Sequence, residues 1–93
     1  MTDRMLLEVK YFDLSEDIFE SDTVADLYVI KDKQGVEDTY TFSLSVYTWS
    51  YTIYSKKDFE GYYLKQSLPF SHHHRKDKMV ALMKKIINEW DDL

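Results

Sequence analysis

Residues 40–54 read YTFSLSVYTWSYTIY, with six aromatic residues and no charge, glycine or proline. Tyr40, Phe42, Leu44 and Val46 alternate with Thr41, Ser43 and Ser45. That period of two is the pattern of a half-buried strand. At Val46–Tyr47 the phase changes, and the large residues fall at 47, 49, 51 and 53. A flat strand would put this second set on the solvent face. Either a bulge re-aims the chain there, or the strand ends. Tyr47, Tyr51 and Tyr54 also have helical spacing, whereas β-branched Thr52 and Ile53 oppose a helix. Trp49–Lys57 therefore reads as a short helix or a bulged extension.

Outward from this stretch, MLLEVKYFDL (5–14) alternates as Met5, Leu7, Val9 and Tyr11 on one side. Leu6, Glu8, Lys10 and Phe12 form the other side, so the first strand is half buried. VADLYVIK (24–31) is rich in β-branched and aromatic residues and forms the next strand. KDKQG supplies a turn, with Gly35 suited to positive φ and a hairpin loop longer than two residues. YYLKQSLPF (62–70), opened by Gly61, reads as a fourth strand ended by Pro69, which has no N–H for a ladder. From Arg75 to Trp90 the apolar residues Met79, Leu82, Met83, Ile86, Ile87 and Trp90 form an amphipathic stripe about four turns long. The expected fold is α+β: an antiparallel sheet of about four strands, with one long C-terminal amphipathic helix packed on one face. Ninety-three residues make one domain, 1–93.

Charge and composition narrow the function. Residues 1–60 carry a net charge of −7 and residues 61–93 a net of +2. Asp13, Glu16, Asp17, Glu20, Asp22 and Asp26 form a run with no base between them. Such a field repels nucleic acid and attracts cationic partners. A base-stacking role for the aromatic stretch would need a basic groove beside it, and the neighbouring charges are mixed. Trp49, Tyr51 and Tyr54 cannot all share the core face of one strand. Tyr and Trp are enriched at protein-binding hot spots because one end can be buried while the other hydrogen-bonds. The candidate partner-binding residues are thus the six acids together with Trp49, Tyr51 and Tyr54. The plainer alternatives are a solvated loop and a second small core.

No chemistry-bearing constellation stands out. Cysteine is absent, which removes disulfides, thiolate zinc ligands and thiol nucleophiles and suits a reducing compartment. His72, His73 and His74 are consecutive, and neighbours in extended chain point to alternating sides rather than to one metal. Two isolated glycines make no phosphate loop. We therefore expect no enzyme activity and no cofactor or metal. MTDRMLLEVK lacks the apolar centre of a signal peptide, and no segment approaches a membrane span, so the expected location is the cytoplasm.

With these elements in place, the chain resembles the immunity protein 8 family of bacterial polymorphic toxin and contact-dependent growth inhibition systems. FSLSV (42–46) followed by YTW matches the family's strand ending in Thr with a large aromatic soon after. The extended YYLKQSLPF and the step from SHHHRKDK (71–78) into MVALMKKIINEW (79–90) complete the likeness, which spans residues 37–90 in order and spacing. The resemblance implies a non-enzymatic inhibitor that binds a cognate toxin domain in the cytoplasm and blocks its active site or substrate approach. Toxins of these systems are often nucleases, whose basic clefts would suit the acidic run. The alternative is a small regulatory or adaptor domain that binds proteins through a sheet edge or the helix face, a homodimer included.

Overall fold

The phase change inside residues 40–54 is a chain reversal. In the computed structural model, which describes residues 7–93, β3 (Glu37–Leu44) ends before a short 3₁₀ turn at Val46–Thr48, and β4 (Trp49–Ile53) returns antiparallel beside it. Leu44 pairs with Trp49, Phe42 with Tyr51 and Tyr40 with Ile53. Residues directly opposite one another in a ladder share a face. The even positions of β3 and the odd positions of β4 therefore point the same way. The strand ends at the phase change, one of the two readings the sequence offered, and Trp49–Lys57 is a new strand leading into a 3₁₀ turn at Lys56–Asp58 rather than a short helix or a bulged extension; Trp49 and Tyr51 share the core face with Phe42. Tyr47 (φ 66) and Thr48 (φ 52) occupy the left-handed region to make the turn.

Two further strands complete the sheet. β1 (Glu8–Asp13) pairs with β2 (Asp26–Gln34), and β2 with β3, giving the order β1-β2-β3-β4 with every neighbour antiparallel. Gln34 opposes Glu37, so the β2–β3 loop holds only Gly35 and Val36, shorter than the sequence suggested. Gly35 takes φ 64 while Val36 stays out of the positive-φ region, the pattern of a type II′ hairpin turn.

The C-terminal third is helical. α1 spans Gly61–Ser67 and α2 spans His73–Asn88, with a 3₁₀ turn at Trp90–Asp92. The expected strand at YYLKQSLPF is thus α1. Leu64 and Leu68 are both buried, and their spacing of four is a helix face as well as an even strand spacing. Gly61 lets α1 approach α2, because a Cβ built there would lie 2.9 Å from Val80 Cγ1. The stripe of α2 covers the sheet as expected: Met79, Met83, Ile86 and Ile87 are buried, Trp90 follows them, and Leu82 is half-buried. Each fully buried side chain of this size contributes roughly 1.5–3 kcal/mol. Facing them are Leu27, Val29, Tyr40, Phe42, Leu44 and Ile53.

In β1 the buried and open sides are reversed from the simple reading. Leu7, Val9 and Tyr11 lie on the open side, with Val9 57% exposed. Met5 and Leu6, placed in this strand from the sequence, lie outside the described residues. Phe12 pairs with Leu27 and packs against the core, while Lys10 and Glu8 on the same side reach the end of the helix layer. Trp90 Nε1 donates to Glu8 Oε1 at 2.7 Å, and Lys10 Nζ lies 4.9 Å from the Trp90 ring and donates to the Leu93 carbonyl. These polar residues clamp the C-terminal turn across the edge of the sheet.

Candidate functional site

The loop from Leu14 to Ala25 carries most of the acid run and is built around buried apolar residues. Leu14, Ile18 and Phe19 enter the core, which leaves Glu16 and Asp17 pointing outward. Ile18 and Phe19 N–H groups both donate to the Leu14 carbonyl, and Ala25 N–H donates to Ser15 Oγ at 2.9 Å. Glu20 (φ 53) and Ser21 (φ 65) then bend the chain toward α2.

The six acids fall into two groups. Asp22 and Glu20 pair with Arg75 near the start of α2, and Glu20 also meets His74 Nε2 at 3.3 Å. Arg75 is only 7% exposed, lies over the Phe19 ring, and its guanidinium is held well above its ordinary pKa by the Asp22 hydrogen bond. Asp26 accepts from Tyr11 Oη at 2.7 Å, and that bond pushes the Tyr11 phenol up to about 12. Hydrogen bonding from Ser15 holds the Asp13 carboxyl below the usual carboxylate range while leaving it exposed and charged. Glu16 and Asp17 take part in no ion pair among the described residues. Asp26 is in no ion pair either, because its partner is a neutral phenol, so the acids of the run without a cationic partner among the described residues are Asp13, Glu16, Asp17 and Asp26.

A groove of about 560 Å³ opens beside Asp13 and Asp17, between β1, the loop and α2. Phe12, Leu14, Ile18 and Leu82 supply apolar walls, Tyr11 adds a phenol, and Asp13, Asp17 and Lys78 contribute charge. β1 is an edge strand, so its free edge borders the same region. An apolar side chain could enter here while a cation beside it met the carboxylates.

The aromatic candidates lie elsewhere. Trp49 is half-buried, stacked on Tyr51 with ring centroids 5.9 Å apart and planes 10° apart. Its Nε1 donates to the Ser67 carbonyl at 3.0 Å, satisfying a helix-end acceptor of α1. Tyr54, 74% exposed, follows β4. In a four-stranded antiparallel meander the C-terminal ends of β1 and β4 lie at opposite ends of opposite edges. Strand spacing and rise put Asp13 and Tyr54 roughly 25 Å apart. The fold therefore does not gather the acids and Tyr54 into one cluster.

His72 and His74 stack edge to face at 5.6 Å, and among the described residues no group of three or more His, Asp or Glu is placed to hold a metal ion. Also among the described residues, no helix is long and apolar enough to cross a membrane. Sequence reasoning missed Arg75 as the loop's anchor, Lys78 as a lining residue, and the Glu8–Trp90 bond. Asp22 and Arg75 are 53 positions apart, so no local spacing could have paired them. No protein-family model matches the chain, and no curated protein or solved structure matches it either.

Proposed function

We propose that this chain is an immunity protein that binds and neutralises a cognate bacterial toxin domain in the cytoplasm, a basic nuclease being the toxin best suited to it. The observation that carries the reading is the set of acids without a cationic partner among the described residues, Asp13, Glu16, Asp17 and Asp26, with Asp13 and Asp17 lining the apolar groove of β1 and α2. A polyanion-binding toxin presents a cationic cleft. A patch of fixed carboxylates would steer encounter with it, and the groove would take an apolar anchor once the surfaces meet. The inhibitor needs no chemistry of its own, because covering the active site or the substrate approach suffices. Glu20 and Asp22 share the single charge of Arg75 and shape the loop, while Asp26, hydrogen-bonded by the neutral Tyr11 phenol, keeps its charge and adds to the field.

The test is to co-express the chain with the terminal domain of a toxin encoded beside its gene. Restored growth and a purified one-to-one complex are expected. Glu16→Gln with Asp17→Asn should slow association and flatten its salt dependence while leaving stability within about 0.5 kcal/mol. No protection and no complex would overturn the proposal. An unchanged salt slope would remove this patch as the contact.

One observation favours a second reading, a protein-binding adaptor that works as a homodimer. The sheet face opposite the helices exposes Val9, Tyr11 and Tyr28, with Tyr11 and Tyr28 rings 5.2 Å apart and half-buried Ile30 opposite Val9. Sedimentation separates the two readings: a stable dimer that covers this face supports the adaptor, and a monomer supports the inhibitor.

A further inference from the structure

A second groove, of about 320 Å³, lies at the other corner of the sheet, where β4 leads through the 3₁₀ turn Lys56–Asp58 to the start of α1. Tyr51, Tyr54, Phe59 and Tyr63 line it together with Asp58 and Glu60. No lysine or arginine lines it. Neither carboxylate is in an ion pair among the described residues, and the Glu60 side chain makes no capping bond to α1. Lys56 turns to a different cavity, shared with Asp91 and Asp92, and Lys57 is exposed outside the groove.

The base of the groove is fixed. Ser55 is buried, donates to Glu37 Oε1 at 3.2 Å and accepts from the Lys57 N–H at 3.3 Å. Ile53 below it is buried, and Tyr51 is held by its stack on Trp49. Tyr54 and Tyr63 are largely exposed, with Tyr63 edge-on to Tyr62 at 5.2 Å.

Aromatic faces carry negative quadrupole potential, and carboxylates add to it. Such a lining repels phosphate and gives a cation two kinds of attraction at once. A planar guanidinium suits it better than a compact ammonium, because it can stack on a ring while its edge donates to a carboxylate. We propose that this groove binds an arginine side chain presented by a partner protein, stacked among Tyr51, Tyr54 and Tyr63 and hydrogen-bonded to Asp58 or Glu60. The site is separate from the acidic loop and does not depend on the partner being a toxin.

The full chain should be titrated with N-acetyl-arginine amide and with its neutral isostere N-acetyl-citrulline amide, followed by backbone amide chemical shifts. Saturable shifts at Tyr54, Asp58, Glu60 and Tyr63 are expected, with the arginine probe binding roughly tenfold tighter than the citrulline one. Asp58→Asn with Glu60→Gln should remove that preference, and Tyr54→Ala should weaken both probes. Glu16→Gln with Asp17→Asn should change neither. The same spectra report whether each variant keeps its fold. Equal binding of the two probes, shifts confined to the acidic loop, or no saturable shift would each overturn the assignment.

Discussion

Replacing Trp49 by phenylalanine separates a structural role from a contact role. The indole N–H donates to the Ser67 carbonyl at the end of α1, at 3.0 Å. That carbonyl lies in the last turn, where intrahelical donors run out, and Pro69 two residues on has no N–H to offer. Phenylalanine keeps the stack on Tyr51 but loses the donor. The lost hydrogen bond is worth about 1 kcal/mol, and the smaller half-buried ring adds a few tenths. A loss of roughly 1–1.5 kcal/mol is expected. With a urea slope near 1 kcal/mol/M for a domain this small, the unfolding midpoint should fall by about 1 M or slightly more. Trp90, which is buried, remains as the single tryptophan reporter. Trp49→Ala, which also removes the stack, should cost roughly 2–3 kcal/mol, less than the full-burial value because the ring is only half covered. A Trp49→Phe midpoint within about 0.2 M of the parent would refute this reasoning. Trp49 would then be free to act as the partner hot spot that its sequence context suggested.

Other consequences are equally direct. Gly61→Ala should destabilise by roughly 1–2 kcal/mol despite alanine's better helix propensity, because the new Cβ meets Val80 Cγ1 at 2.9 Å. Val80→Ala in that background should recover part of the loss in urea melts, and a stabilised single variant would show that α1 and α2 are not tightly apposed. The Tyr11 phenol, raised to about 12 by Asp26, contributes stability fully present below pH 10 and lost as pH rises from 10 toward 12. Ultraviolet titration should find Tyr11 and buried Tyr40 titrating late, and Asp26→Asn should bring only the Tyr11 phenol back toward the ordinary tyrosine value. Asp22→Asn weakens the tie to Arg75, so amide exchange at Ser21 and Asp22 should quicken while exchange in β2 and β3 stays unchanged. Equal acceleration throughout would point to global destabilisation instead of loop release.

The difference between what could be read from the chain and what could not has a simple origin. The α2 stripe from Met79 to Trp90 and the alternation from Tyr40 to Leu44 are strong because many residues repeat one period. YYLKQSLPF is too short for that: Leu64 and Leu68 satisfy a spacing of four and an even spacing alike, and only the folded chain, with Gly61 close against Val80, tells them apart. The phase change at Tyr47 was visible, but a bulge and a reversal disturb the pattern in the same way. Only the pairing of Leu44 with Trp49 separates them.

The candidate sites follow the same division. The acid run and the displaced rings are legible as composition, whereas the placing of Asp13 and Tyr54 at opposite corners, and of Trp49 on the far edge strand, follows from strand order, a long-range property. By itself the sequence determined the α+β class, the faces of β3 and α2, and the excess of negative charge. Only the tertiary structure decided that Val9 and Tyr11 face outward, that Arg75 pairs with both Glu20 and Asp22, and that Trp49 caps a helix. Periodicity tells which side chains share a face, but what covers that face, and which charges meet across it, depends on segments far away along the chain.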